Sequence, residues 1–225
     1  MKGCLIAIAI VLVVLIVLVG AAAIYLFGFE KELPQSAIDV IKEQLDGISE
    51  VSIEMNFNSV NECSDIEGEY HLTEAGSTTK YILKRLGKDE TLTLTFISYV
   101  GDTKIDDLYF YQADGKYYYK DHGGEAIEKT QSIWQEAVKT YFFMCMPLEE
   151  KGDKAVLLGG SAFENGLETV KQKGFNVTAI AKENDDVYTM SYNIQTGMLS
   201  DYTVTFKNGT IKKYIVALNI NDFQS

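Results

Sequence analysis

Side chains that could carry out catalysis or bind a metal are few in this sequence, and they stand far apart. The chain contains two histidines, His71 and His122, and neither lies at a metal-ligand spacing from a cysteine or from the other histidine. Ser161 follows two glycines but lacks the later glycine of a nucleophile elbow, so we interpret it as a helix cap. The sequence therefore predicts no catalytic residue, no cofactor, no metal ligand, and a protein that is not an enzyme.

Other polar residues begin ion-binding and phosphate-binding patterns without completing them. Asp102, Asp106 and Asp107 lack the sharp-turn glycine and the terminal glutamate of a calcium loop. Gly87 and Lys88 lack the upstream glycine and the following hydroxyl residue of a phosphate loop. We therefore expect the three aspartates to be solvated charges in turns.

Two pairs of residues are candidates for covalent modification. Cys63 and Cys145 fit an oxidising compartment, in which they would form one disulfide, and two buried free thiols are the alternative. Asn176 and Asn208 each begin an Asn-x-Thr pattern, the acceptor for N-glycosylation. These patterns make the four residues candidates for modification, and both alternatives for the cysteines stay open.

The N-terminal segment is apolar and uncharged over residues 3–29. A helix that crosses a bilayer needs roughly 20 such residues, so the sequence predicts a transmembrane anchor over residues 1–29 and a short tether over residues 30–35. Residues 36–225 then form the folded domain. A signal peptide cleaved after Ala23 is the alternative, but the apolar run is longer than the usual signal peptide requires.

The few charges beside this segment set its expected orientation. Lys2 stands on the short side, whereas Lys31 lies between two glutamates on the long side. The positive-inside bias then predicts a single-pass protein of the cell membrane whose C-terminal domain lies outside the cytoplasm. The chain has 32 acidic and 20 basic residues and a net charge of −12, which repels nucleic acid.

Alternating apolar and polar residues predict an antiparallel sheet with one apolar face. The strand patterns cover residues 51–58, 67–73, 79–85, 91–96, 104–112, 188–194 and 202–206. The Asp-Gly pair at 114–115 and the Asn-Gly pair at 208–209 predict hairpins. Aromatic residues on both faces of 109–119 place that hairpin at the centre of the sheet or under cover on both sides.

Three helices are expected beside these strands. One begins at a capping box that starts at Ser36 and ends near Gly47. A second follows Thr130 and ends before Pro147, with a buried stripe of Ile133, Trp134, Ala137, Val138, Tyr141 and Phe142. A third starts at Ser161, buries Phe163, Leu167 and Val170, and stops at Gly174. The expected fold class is α+β, a transmembrane helix followed by an antiparallel sheet of about ten strands with covering helices.

The order of these elements resembles that of the LolA-type lipoprotein carriers and related envelope glycolipid carriers. The resemblance rests on the helix and strand of 38–57, the hairpin of 109–119, and the closing strands that run from 196 to Leu218. It implies a curved sheet, an incomplete barrel, that wraps over helices and encloses an apolar cavity.

These observations predict a membrane-anchored, extracytoplasmic module that binds a lipid or another hydrophobic ligand. Its partners would be the membrane, through the N-terminal helix, and the ligand. The alternative is an ectodomain that binds a protein partner at the cell surface. Periodicity leaves open whether the apolar face of the sheet lines a cavity or packs a filled core.

Overall fold

The computed structural model describes residues 28–36, 38–39, 67–84, 94–152 and 154–219. The strands in these ranges are β1 (Lys31–Glu32), β2 (Glu67–Glu74), β3 (Ser77–Lys84), β4 (Leu94–Val100), β5 (Thr103–Ala113), β6 (Lys116–Lys120), β7 (Ile127–Lys129), β8 (Leu148–Lys151), β9 (Lys154–Leu157), β10 (Leu167–Lys173), β11 (Asn176–Glu183), β12 (Asp186–Asn193), β13 (Met198–Thr205) and β14 (Ile211–Asn219). The helices are α1 (Gln131–Cys145) and α2 (Gly160–Asn165).

Twelve of the strands form one antiparallel sheet in the order β1-β10-β11-β12-β13-β14-β2-β3-β4-β5-β6-β7. Apart from β1, which pairs with β10, the sheet consists of two meanders, β2–β7 and β10–β14, within which each strand pairs with the next one in the chain. They join where β14 pairs with β2, and we call this pairing the seam. Tyr214 stands opposite Tyr70 there, and Val216 stands opposite Gly68. Strands β8 and β9 form a separate hairpin.

The two faces of the sheet have different environments. The inner face carries most of the buried side chains, such as Tyr202 and Tyr214, and is covered by α1 and α2. Trp134 and Phe142 of α1 and Phe163 of α2 pack into the same core, and each is at most 2% exposed. The opposite side of the sheet is the outer face. The alternation of strand residues thus stabilises one continuous core.

Both predicted hairpin turns are confirmed. Asp114 and Gly115 connect β5 to β6 and have φ values of 52° and 73°, the left-handed conformation that a two-residue hairpin requires. Gly209, with φ of 86°, lies in the connection between β13 and β14. The β5–β6 hairpin is not central, because only β7 lies between it and the edge of the sheet.

Helix α1 follows the sequence prediction closely. It begins after Thr130, ends before Pro147 and buries Trp134, Val138 and Phe142 at helical spacing. Two details differ. The Thr130 side chain makes no capping hydrogen bond, and Ile133, which was expected in the buried stripe, is 56% exposed.

The prediction for the third helix is wrong after its first turns. Helix α2 ends at Asn165, and residues 167–173 form β10, which pairs with β11. The chain changes direction at Gly166, which lies very close to β11. A Cβ built there would lie 1.9 Å from the Lys182 carbonyl oxygen, so only glycine fits. Ser161 is not the cap, since Gly159 occupies the N-cap position with φ of 64°.

The predicted α+β class is therefore corrected to a mostly β fold with a twelve-stranded antiparallel sheet. The cause is that sequence periodicity assigned residues 167–173 to a helix and did not detect β11 or the short strands β1, β7, β8 and β9. Residues 35, 36, 38 and 39 are helical, so the first predicted helix begins before Ser36. Its remainder and the predicted strand at 51–58 lie outside the described residues.

Among the described residues, no helix is long and apolar enough to cross a membrane. The predicted anchor over residues 1–29, with Lys2 and the alternative cleavage at Ala23, lies outside the described residues apart from positions 28 and 29. The single-pass anchor is therefore not part of the described fold. The location outside the cytoplasm rests on the same segment and stays a prediction.

Candidate functional site

A groove of about 300 Å³ opens at the seam, at one end of β14, β2 and β3. It is lined by Gly68, Glu69, Ile82, Leu83, Lys84, Ile215, Val216 and Ala217. Strand pairing places Ile215 opposite Glu69, and Glu69 opposite Ile82, so these three side chains form a row on the outer face. The groove is at the small end of the range for small-molecule pockets.

The groove is apolar because aliphatic residues from both meanders meet at the seam. Ile215 is 41% exposed although it lies on a central strand, and Ile82 is half-buried on the other side of Glu69. Gly68 lets the end of α1 approach the sheet below this point, since an added Cβ would lie 2.7 Å from Met146 Cε. The sequence thus places open aliphatic surface where the sheet is well supported from its inner face.

The carboxylate in the groove is already compensated by cations. Glu69 Oε1 accepts a hydrogen bond from Lys80 Nζ at 3.0 Å and lies 2.5 Å from His71 Nε2. Partial burial raises the pKa of Glu69, but the hydrogen bonds from His71 and Lys80 outweigh it, so the net pKa is lowered. Glu69 is therefore an ionised group whose charge is offset within the protein.

Lys84 is the cation at the end of the groove. Its side chain is exposed, and strand pairing places Glu67 of β2 opposite it. Thr95 stands opposite Lys84 on β4, and its buried hydroxyl has no hydrogen-bond partner among the described residues. The groove therefore combines aliphatic walls with charged residues of both signs.

A second polar cluster surrounds Asp107 on β5. Lys104 and the Tyr109 hydroxyl donate hydrogen bonds to Asp107 Oδ2, the latter at 2.6 Å, and His122 Nδ1 lies 2.7 Å from Oδ1. Asp107 is only 3% exposed, so the expectation of a solvated turn charge is wrong for this residue. Hydrogen bonds from Lys104, and next from Tyr109, lower the pKa of Asp107 to about 2 against a smaller effect of burial.

This cluster holds the loop after β6 against β5. The Asp107 carboxylate orients the His122 ring through Nδ1, as a carboxylate orients a catalytic imidazole. Within the described residues no serine, threonine or cysteine is hydrogen-bonded to that ring, and Ser161 instead lies 3.3 Å from Glu183. The described ranges also hold no group of three metal-ligating side chains. The arrangement supports a structural role.

The predicted modification sites lie apart from the groove and from each other. Asn176 begins β11 and accepts a hydrogen bond from Asn193 at 3.3 Å, and Asn208 lies in the turn before β14; both are exposed. Cys145 is a buried thiol at the end of α1, and burial raises its pKa. Cys63 lies outside the described residues, so the disulfide and both glycosylation sites stay predictions.

The inner apolar face, which was the expected ligand surface, is packed with protein side chains. Phe96, Tyr81, Tyr70 and Tyr214 form a series of ring contacts with centroid distances of 4.9–5.7 Å along the sheet. Tyr141 of α1 continues this series, 4.5 Å from Phe96. In the described part of the molecule, this face therefore has the dense packing of a core.

The groove was not predicted from the sequence. Ile82 and Glu69 belong to the hairpin of β2 and β3, but Ile215 is brought beside Glu69 only by the seam. A local signal did exist for part of the site, since Glu69 and His71 stand two residues apart and so share one face of a strand. His122 and Asp107 are too far apart in the chain for such a signal.

The chain matches no model of a known protein family and no curated protein. The resemblance to LolA-type carriers therefore stays a prediction.

Proposed function

We propose that this protein is a binding module for a hydrophobic ligand and that the ligand occupies the groove at the seam. The observation that carries the proposal is the aliphatic lining, in which Ile82 and Ile215 remain accessible on central strands. Apolar groups on a ligand gain roughly 25 cal/mol for each Å² that they remove from water. The groove is on the outer face, so this proposal moves the expected site away from the packed inner face.

The architecture supports a binding role in a second way. The two meanders meet under the groove, and α1 packs against β2 and β3 from the other side. A site on paired strands holds its lining residues in fixed positions, so ordering these residues costs little entropy when a ligand binds. The role is non-catalytic in this proposal, because Glu69, the carboxylate in the lining, is already paired with His71 and Lys80.

Native mass spectrometry of the full chain, purified without denaturant, tests the proposal. We expect about one aliphatic ligand per chain in the natural protein, or after addition of 1-octanol. Ile215→Asp places a charge in the groove and should abolish this binding. Ile194→Asp is the matched control, because Ile194 is 43% exposed and lies in a distant turn. Equal binding by the two variants, or none by the natural protein, would overturn the proposal.

A second candidate function is the binding of a protein partner, and one surface favours it. Phe175 and Ile194 lie in adjacent turns joined by a 2.8 Å backbone hydrogen bond, and they are 47% and 43% exposed. Strand β1 runs antiparallel to β10 and brings Phe29, 60% exposed, toward the same turn. Clustered exposed apolar residues are typical of interaction surfaces. A protein neighbour that crosslinks to the natural protein and to the control Ile133→Ser, but not to Phe175→Ser, would support this role.

A further inference from the structure

Glu69 divides the aliphatic lining of the groove into two parts. Ile215 on β14 stands opposite Glu69 on one side, and Ile82 on β3 stands opposite it on the other. Opposed side chains on paired strands have Cβ atoms about 5 Å apart, so the two isoleucines lie roughly 10 Å apart with the carboxylate between them. An unbroken hydrocarbon chain across both isoleucines would cover this charged group and remove it from water, which is unfavourable. A ligand that contacts both isoleucines therefore binds best with a polar group at its centre.

The Glu69 carboxylate has capacity for a further hydrogen bond. Its contacts with Lys80 Nζ at 3.0 Å and with His71 Nε2 at 2.5 Å are both made by Oε1. A carboxylate has about four acceptor positions on its two oxygens. The Glu69 side chain lines the groove and is 29% exposed, so its remaining acceptor positions are open to a ligand.

The neighbouring lysine restricts the kind of polar group that suits this position. Lys80 already offsets the charge of Glu69, and it would repel an ammonium group on a ligand. A neutral donor, such as a hydroxyl group, can bond to the carboxylate without this repulsion. A ligand oxygen that can only accept would face Glu69 without a hydrogen bond.

We infer that the ligand carries a neutral hydrogen-bond donor between two aliphatic arms, with the donor on Glu69 and the arms on Ile215 and Ile82. This inference rests on the proposed function and adds the class of ligand to it. A ligand whose polar group is at one end fits less well, because its chain would then cover the carboxylate. A groove of about 300 Å³ holds one small molecule of the inferred kind.

Three uncharged seven-carbon probes test the inference, namely 4-heptanol, 4-heptanone and 1-heptanol. Each is titrated into the full chain, and its affinity is measured from the isoleucine methyl signals in NMR spectra. 4-Heptanol should bind at least about ten-fold more tightly than 4-heptanone, which has the same carbon skeleton but no donor. It should also bind more tightly than its isomer 1-heptanol, whose donor is at the end of the chain.

A variant of Glu69 locates the donor. Glu69→Gln should reduce the difference between 4-heptanol and 4-heptanone to about two-fold or less, because a neutral amide is a weaker acceptor and can also donate to the ketone. Glu128→Gln is the matched control, because Glu128 also pairs with a lysine, Lys116 at 2.8 Å, but lies on β7 outside the groove. It should leave the difference unchanged. A full difference in Glu69→Gln would overturn the inference.

The outcomes separate the inference from the proposed function. If 4-heptanol and 4-heptanone bind the natural protein equally, or if 1-heptanol binds most tightly, the central donor is wrong while the apolar site stands. If no probe binds, or if Ile215→Asp leaves all three affinities unchanged, the proposed function itself fails. The comparison of the three probes requires no variant, so it decides the inference even if Glu69→Gln does not fold.

Discussion

Asp107 is a carboxylate that the fold keeps ionised although it is removed from water. Its oxygens accept hydrogen bonds from Lys104 and Tyr109 and contact His122. A buried carboxylate without such donors would take up a proton, so these side chains decide its charge. Because His122 follows β6, the carboxylate also ties the loop after β6 to β5.

We predict that Asp107→Asn lowers the free energy of unfolding by about 2 kcal/mol at pH 7, the usual magnitude for hydrogen bonds to a buried charged group. The pKa of Asp107 is about 2 in the folded protein, below its usual value of 3.8. Its stabilising effect is therefore complete above pH 3.8 and declines as the pH falls toward 2. Urea denaturation at pH 7, 4.5 and 3 measures this difference.

Asp102→Asn is the control, because Asp102 is exposed in the turn between β4 and β5. It should change stability by less than about 0.5 kcal/mol at each pH. A difference between the natural protein and Asp107→Asn that stays constant from pH 7 to pH 3 would contradict the assignment.

Gly166 determines where helix α2 ends and β10 begins. Its carbonyl oxygen accepts a 2.8 Å hydrogen bond from the Lys182 amide, and its own amide donates to the Ala162 carbonyl at 2.7 Å. The Lys182 backbone is fixed by β11 and cannot move away as a flexible side chain would. The close approach of these two backbone segments requires a residue without a Cβ.

We expect Gly166→Ala to lower the free energy of unfolding by at least about 2 kcal/mol, since the added Cβ would overlap the Lys182 carbonyl. Thermal unfolding followed by circular dichroism measures the loss. Gly101→Ala is the comparison, because that position has open space but a φ of 57°. It should cost only about 1 kcal/mol, the usual cost of a left-handed conformation for alanine. Equal costs at both positions would count against a steric role.

Elements with local signals were predicted well, and the others depended on distant contacts. The hairpin at Asp114 and the helix after Thr130 follow from turn residues and helical spacing close together in the chain. Phe163, Leu167 and Val170 fit a helical stripe equally well, but pairing with β11 makes the last two part of a strand. Periodicity has no information on this pairing partner.

At the scale of the whole molecule, the seam joins two meanders that are separate in the sequence. Its pairs join residues more than a hundred positions apart, such as Tyr70 and Tyr214, whose rings stack 4.9 Å apart. The groove exists only because of this pairing, so no local pattern could predict it. The surroundings of its charged residues could not be predicted locally either, because the residues opposite Glu69 and Lys84 lie on neighbouring strands.

Because one core lies beneath both meanders, we predict that they unfold together. Tyr214→Ala removes a ring that is 4% exposed and should lower the free energy of unfolding by about 3–5 kcal/mol. Trp134, the single tryptophan, reports on the β2–β7 meander, and far-ultraviolet circular dichroism reports on the whole sheet. Both probes should show the same shifted transition. Tyr111→Ala, on the outer face of β5, should lower the free energy of unfolding by a smaller amount. Separate transitions for the two probes would show that the meanders unfold independently.

The binding of an aliphatic ligand at the seam is the central claim, and isoleucine methyl NMR tests it most directly. The full chain, labelled at isoleucine δ1 methyl groups, is titrated with 1-octanol, and Ile→Val variants assign the signals. The account predicts that the Ile82 and Ile215 signals shift together and saturate at about one ligand per chain, while those of Ile133 and Ile194 do not move. Unchanged signals from Ile82 and Ile215, or larger shifts at Ile133 or Ile194, would contradict it.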